Sequence, residues 1–306
     1  MNYTTIQEID SLQEWVNEAI AIKKNPLQNK ALGENKTLGM LFFNPSLRTR
    51  LSTQKAALNL GMNVIVMNIG SEGWALEMED GTVMNSTGVE HIKDAAAVLG
   101  LYCQVIAVRC FPTLTNKEED YSEKVLRSFI AYSGVPIVSM ESATLHPLQS
   151  LADMMTISEV KNAAKPKIVL TWAPHMKALP QVVANSFAEW TLKCGYDLTI
   201  THPEGYELST AFAKGATLEY DQQKALKEAD FVYVKNWSAY HDYGKVLTTD
   251  DKWMLTEEKM KITNQAKIMH CLPVRRNLEL SDELLDGPNS LIVRQAQNRE
   301  FAAQAV

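Results

Sequence analysis

The residues best suited to chemistry fall together in Ser46-Leu47-Arg48-Thr49-Arg50. Arginine's planar fork matches two oxygens of a phosphate at once, and the hydroxyls of Ser46 and Thr49 add donors. Arg109, His146, Gln149 and Arg299 extend the set, with too few nearby carboxylates to neutralise it. Such a set suits a small polyanion. Taken alone, the stretch reads slightly more readily as a capped surface helix with two solvated arginines, and it is the rest of the chain, with its matching parts, that tips the balance. No G-x-x-x-x-G-K-[ST] or G-x-G-x-x-G supports a nucleotide or dinucleotide site. No acidic cluster suggests magnesium, and no G-x-S-x-G or cysteine–histidine pattern suggests a covalent route. What remains is a metal-free, cofactor-free transfer from an activated phosphate. Arginines and a histidine would hold the leaving phosphate and polarise a carbonyl.

The elements around these residues must bring them together. The apolar run 38–43 predicts a buried strand that Asn44-Pro45 breaks. Ser46 stands where a helix N-cap is expected, and Gly61 ends the helix. A strand, a turn and a helix N-terminus point free N–H groups and the helix dipole at one spot. Helical spacing continues at 6–24, 89–99 and 126–133, and strands are expected at 63–69, 105–108 and 136–140. Residues 70–85 read as a loop holding Trp74. His146-Pro147-Leu148-Gln149 opens a long helix reaching 162. The rhythm then restarts, with strands at 167–173, 196–201, 230–234 and 266–270 and a short one at 290–293. Helices are expected at 178–194 (with Pro180 in its first turn), 220–228 and 297–306. Alternating strands and helices imply two doubly wound, mostly parallel α/β domains joined by helices. Ser46–Arg50, Arg109, Glu141, His146, His175, Lys235 and Cys271 all follow the C-terminal ends of expected strands, where ligands bind in open α/β sheets.

Length and composition agree with a globular enzyme. The 306 residues are 46% apolar and 22% charged, with net charge −6, which argues against a dominant nucleic-acid surface. Cys103, Cys110, Cys194 and Cys271 are scattered, without zinc or disulfide spacing. The polar, acidic residues 1–14 do not read as a signal peptide, and no apolar run is long enough to span a bilayer. A cytoplasmic protein without membrane or nucleic-acid partners is expected.

Three motifs then point the same way. Ser46-Leu47-Arg48-Thr49-Arg50, His146-Pro147-Leu148-Gln149 and His270-Cys271-Leu272-Pro273 resemble, in order, the S-x-R-T-R, H-P-x-Q and H-C-L-P of the aspartate/ornithine carbamoyltransferase family. The resemblance implies a carbamoyl-phosphate domain over 1–149 plus a terminal segment 286–306, and an amino-acid domain over 150–285. It implies a knotted second domain. By resemblance, Ser46, Leu47, Arg48 and Thr49 would hold the phosphate, and Arg109 would bridge phosphate and carbonyl oxygen. His146 and Gln149 would hold the carbamoyl end, Cys271 and Leu272 would offer carbonyls, and Arg299 would add a cation. Arg48, Arg109, His146 and Cys271 would form the catalytic group.

The D-x-x-x-S-M-G of ornithine enzymes is missing. Residues 235–244 read KNWSAYHDYG instead. An α-nitrogen that has been acylated loses its charge and needs a different pocket. The chain is similar to the N-acylornithine branch, and overall to its succinyl-specific members. That similarity implies Trp74 reaching a neighbour's phosphate in a homotrimer with shared active sites. Glu141, His175, Lys235 and Arg275 (or Arg276) would contact the acylornithine. Glu90 departs from the succinyl pattern, which has proline there, and matches acetyl-specific members. Either His175 or the leaving phosphate would take the amine's proton. A carbamoyltransferase for ornithine or another amine, or a non-catalytic paralogue, stays open; a paralogue of that kind usually loses the active-site residues that this chain retains.

Overall fold

Four β-branched or apolar runs build the first sheet. A computed structural model describes residues 1–306. Thr37–Phe42 (β1), Asn63–Asn68 (β2), Val105–Arg109 (β5) and Ile137–Glu141 (β6) pair in parallel, in the order β2-β1-β5-β6. Leu76–Glu77 (β3) and Glu90–His91 (β4) form a small parallel pair of their own. Lys167–Trp172 (β7), Asp197–Thr201 (β8), Thr217–Glu219 (β9), Phe231–Lys235 (β10) and Lys267–Met269 (β11) form a second parallel sheet, ordered β11-β10-β7-β8-β9.

Both sheets reverse direction once. The first grows from β1 to β2 and then places β5 on the other side of β1. The second grows from β7 through β9 and then places β10 against β7. The gaps beyond β1/β5 and β7/β10 are therefore switch points, where adjacent loops diverge and leave room for a ligand. Fully buried Leu41, Ile106, Val108, Phe129 and Ile137 fill the first core, and Val169, Val232, Val234, Ile268 and Leu280 the second.

The chain clusters into two units. One holds Met1–Ser11, Glu18–Leu148 and Arg299–Val306; the other holds Leu12–Asn17 and Gln149–Asn298. The terminal segment expected from 286 onward with the first domain thus divides. Residues up to Asn298 bond within the second unit: Leu291 N to Ile268 O, Gln295 to Asp153, Asn298 to Thr156. Arg299 and Gln304 instead bond Thr49 and Asn59 of the first.

Several elements differ from expectation. The strand at 290–293 is absent, because Ser290 makes only one bridge to Ile268 before the helix Ile292–Ala305 begins. Pro180 lies outside its helix, Val182–Lys193. Ser238 N donates to Leu179 O and Gln181 Nε2 donates to Ser238 O, which ties the segment before the helix to the loop after β10. The helix at 6–24 splits into a 3-10 turn, Ile6–Glu8, and Leu12–Lys24, because Glu8 caps the turn through Thr4 and Thr5. The helix at 89–99 starts later, as Ile92–Tyr102, with Glu90 in β4. A short helix, Lys117–Tyr121, was not expected. No helix is long and apolar enough to cross a membrane.

Candidate active site

In the first unit a cradle forms at the β1/β5 switch point. Ser46 caps the helix Leu47–Asn59, its Oγ accepting from Thr49 N at 3.3 Å. The remaining first-turn N–H groups have no intrahelical acceptor and face outward along the axis. Thr49 is buried, and its Oγ1 accepts from Arg299 Nη2 at 2.6 Å. Asn44 Oδ1 accepts from Phe111 N at 2.6 Å, tying the loop after β1 to the loop after β5. Arg50 turns elsewhere. It donates to Asn68 Oδ1 and lies 4.7 Å from the centroid of the Phe42 ring.

Arg109 depends on an irregularity. Val108 pairs with Ser139, but Arg109 pairs with Glu141, so Met140 is an extra residue in β6. Bulges of this kind re-aim side chains near active sites. Here it sets Glu141 beside Arg109, and Arg109 Nη1 donates to Glu141 Oε2. The guanidinium carbon also lies 4.3 Å from the Phe111 ring centroid. Arg109 Nε is buried without a hydrogen-bond partner. Glu141, expected with the acceptor residues, therefore belongs to the first unit and balances Arg109.

His146 is 2% exposed, with Nε2 3.5 Å from Glu141 Oε2. Burial first, then the charges of Arg299 and Arg109, hold its pKa well below the ordinary value. Glu141 does not reverse this, since Arg109 already occupies it. His146 is a neutral imidazole within a cationic cradle, and its Nδ1 has no hydrogen-bond partner.

The second unit carries a separate set at the β7/β10 switch point. Arg275 Nε donates to His175 Nε2 at 2.9 Å. Arg275 can only donate, so His175 Nε2 is the acceptor there, while Nδ1 lies 2.9 Å from Lys177 O and 3.0 Å from Lys177 N. Lys235 ends β10 and is buried. Glu279 accepts from Arg275 N at 2.7 Å and lies 3.5 Å from His270 Nε2. Burial pushes its carboxyl up, but the hydrogen bond and charge of His270, then Lys235, pull it down to about 2. Arg276 is committed elsewhere, to Asp282 at 2.8 Å and to Asp286 at 2.7 Å. Of the two arginines, Arg275 is the one bonded to His175.

Gln149 joins a buried network. Its Nε2 donates to Asp153 Oδ1 at 2.7 Å, which also accepts from Gln295 Nε2 at 2.7 Å. Gln295 Oε1 in turn accepts from His270 N at 3.0 Å. The network reaches the loop of Cys271 and Leu272, where Leu272 N donates to His270 Nδ1 at 2.9 Å and Leu272 adopts φ 58°. A leucine in that left-handed region is uncommon and re-aims the adjoining carbonyls.

Trp74 and Glu90 form a pair of their own. Trp74 is 56% exposed, and its Nε1 donates to Glu90 Oε2 at 2.7 Å.

Two family models match. Residues 2–159 match the aspartate/ornithine carbamoyltransferase carbamoyl-P binding domain, and residues 180–306 its Asp/Orn binding domain. The chain belongs to the aspartate/ornithine carbamoyltransferase family. Among its members, the N-succinylornithine carbamoyltransferase of Bacteroides fragilis (strain 638R) is 51% identical, over 99% of this chain and 96% of that one. The N-acetylornithine carbamoyltransferase of Xanthomonas axonopodis pv. citri (strain 306) is 34% identical, over 98% and 92%. A glutamate-to-proline variant of N-acetyl-L-ornithine transcarbamylase, crystallised with carbamyl phosphate and N-succinyl-L-norvaline, superposes with TM-score 0.94. It is 33% identical and covers 100% of this chain and 98% of that one.

Several positioning groups of this carbamoyltransferase family member escaped the sequence. Asp153 follows Gln149 by four residues on one helix face, a spacing that does signal contact. Asn44, Gln295 and Glu279 gave no comparable sign, because their partners are far away in sequence or in a loop.

Proposed function

We propose that the protein transfers the carbamoyl group of carbamoyl phosphate to the δ-amino group of an N-acyl-L-ornithine, giving an N-acyl-L-citrulline and phosphate. The observation that carries this is the buried cradle of Arg109, Arg299, Thr49 and neutral His146 beside a capped helix N-terminus. Phosphate oxygens take the helix N–H groups with Ser46, Leu47, Arg48, Thr49 and Arg299. Arg109 and His146 polarise the carbonyl oxygen, the latter as a neutral N–H donor. The neutral δ-amine attacks the carbonyl carbon. The new C–N bond forms, the C–O bond to phosphorus breaks, and the leaving phosphate takes the amine proton. His175 is the weaker candidate for that proton, since its Nε2 lone pair accepts from Arg275. Gln149 and the carbonyls of Cys271 and Leu272 hold the carbamoyl nitrogen. His175, Lys235 and Arg275 hold the acylornithine.

Glu90 sets the acyl preference towards acetyl, in contrast to the relative that is 51% identical and named for the succinyl substrate. Two like charges at ~4 Å in an effective dielectric of about 20 repel by about 4 kcal/mol. Trp74 Nε1 fixes the direction of that carboxylate. The glutamate-to-proline variant crystallised with a succinyl compound supports the same exchange.

The working form is a homotrimer with shared sites. Leu47, Leu51 and Leu58 are more than half exposed and lie within about 40° of one another on their helix. Ile65, Trp74, Val83 and Val89 are exposed in the same unit. Exposed apolar side chains gathered along one helix face support an interface between copies of the chain. The four cysteines form no disulfide, which fits a reducing cytoplasm; a place in arginine biosynthesis follows from the proposed substrate.

A carbamoyl-phosphate-dependent citrulline assay on free, acetylated and succinylated ornithine tests the reaction. Turnover of an acylated substrate is expected. Activity on free ornithine alone would replace this reading with the other-amine alternative, and inactivity with all three would replace it with a paralogue. In Glu90→Pro, the acetyl-to-succinyl ratio of kcat/KM should fall by at least tenfold. An unchanged ratio removes Glu90 from specificity.

A further inference from the structure

The short helix Lys117–Tyr121 and the turn after it hold two carboxylates with unusual loads. Asp120 is 6% exposed. Its Oδ1 accepts from Thr113 N at 2.8 Å, and its Oδ2 from Leu114 N at 2.9 Å and Thr113 Oγ1 at 3.2 Å. Glu123, three residues on, reaches a different loop. Its Oε1 accepts from Ser142 Oγ at 2.6 Å, Thr144 N at 2.8 Å and Thr144 Oγ1 at 2.5 Å, and its Oε2 accepts from Ala143 N at 3.1 Å.

The two loops are those that deliver the cradle. Residues 110–116 leave β5 directly after Arg109. Residues 142–145 leave β6 directly after Glu141 and end at His146. Glu123 has φ 54° and ψ 34°, a left-handed conformation uncommon outside glycine, asparagine and aspartate. That conformation turns its side chain toward residues 142–144. Strain of this kind persists only where the surroundings fix it.

We propose that Asp120 and Glu123 act as a brace that sets the spacing of Arg109 and His146, with Glu123 a positioning residue for the carbamoyl-transfer step. This rests on the cradle reading given above. Neither carboxylate touches substrate. Glu123 holds the 142–145 turn with four hydrogen bonds, and that turn fixes where His146 enters the site. A catalytic group displaced by about 1 Å costs about a hundredfold in rate. A carboxylate is required, because each oxygen accepts a backbone N–H, that of Thr144 at Oε1 and that of Ala143 at Oε2. In Glu123→Gln the amide nitrogen would face an N–H group instead.

The test compares kcat, both KM values and thermal midpoint for wild type, Glu123→Gln, Glu123→Asp, Thr144→Val and Ser142→Ala. Glu123→Gln should lower kcat by about tenfold to a hundredfold. KM for the acylornithine should stay within about twofold, since no group that meets it has moved. Thr144→Val and Ser142→Ala, which each remove one donor, should show smaller losses of kcat with near-native midpoints. Glu123→Asp should recover part of the Gln deficit. A folded Glu123→Gln with unchanged kcat, or a loss confined to KM, would overturn the proposal. If Glu123→Gln fails to fold, unchanged kcat in both Thr144→Val and Ser142→Ala has the same force. Wild-type inactivity in the citrulline assay would instead overturn the function itself, so the two failures remain distinct.

Discussion

At the scale of single residues, His146 carries the clearest thermodynamic signature. In the folded chain its pKa lies well below the ordinary histidine value, for reasons of burial and of Arg299 and Arg109. The unfolded chain takes up a proton below about pH 6.5, while the folded chain does not. Stability therefore falls as pH drops below about 6.5, by about 1.4 kcal/mol per unit until the folded pKa is reached. Buried His202, whose pKa is also lowered by burial, contributes in the same window. Urea midpoints at pH 7.5 and 5.5 check the point: His146→Gln should show a smaller drop than wild type, with the remainder due to His202. An equal drop in both proteins would mean that His146 is charged in the fold. Glu279 acts in another range. Its stabilisation is complete above about pH 4.5 and is lost as pH falls towards about 2.

At the scale of elements, Gly100 shows what a sequence hides. The helix expected at 89–99 stops one residue short of it, since glycine in an apolar stretch marks a break. Gly100 actually lies inside the helix Ile92–Tyr102, where a Cβ would stand 1.8 Å from Ser133 O. Ser133 follows the helix Lys124–Tyr132, which begins beside Glu123. Gly100→Ala should thus push these helices apart and destabilise the protein by about 1–3 kcal/mol. It should also lower kcat through the Glu123 brace. Chemical unfolding and turnover on the same preparation would check both effects. The strands, by contrast, were legible. Runs such as 105–108 and 231–234 are apolar on both faces and end in a single charged residue, so period and punctuation both mark them. The motif residues Arg48, His146 and Cys271 could be found because each sits at a strand end or a helix start. Arg275 could not be separated from Arg276 in the same way. Only tertiary partners, His175 for one and Asp282 with Asp286 for the other, distinguish them. The Arg109–Glu141 pair was hidden for a similar reason, since it needs a one-residue irregularity between β5 and β6.

At the scale of the whole molecule, the exposed leucine stripe and Trp74 make a test possible without a structure of the assembly. In a trimer with shared sites, each site takes Arg109 from one subunit and Trp74 from the next. Mixing Trp74→Ala with an Arg109-inactivated variant, under exchange, should restore about a quarter of wild-type activity, because half the sites keep Arg109 and half of those face an intact tryptophan. No restoration would argue that each subunit works alone.

The pairing of Arg109 with Glu141 has one more effect, on selectivity among anions. The carboxylate is a tethered rival that any incoming anion must outcompete. Chloride or an isolated carboxylate offers the guanidinium nothing beyond what it already has. In the proposed reaction an acyl phosphate, with several phosphoryl oxygens and an adjacent carbonyl, would engage the helix end, Arg299 and His146 together, and so would displace it. A donor that fills every position is thereby favoured over the simple salts of its surroundings.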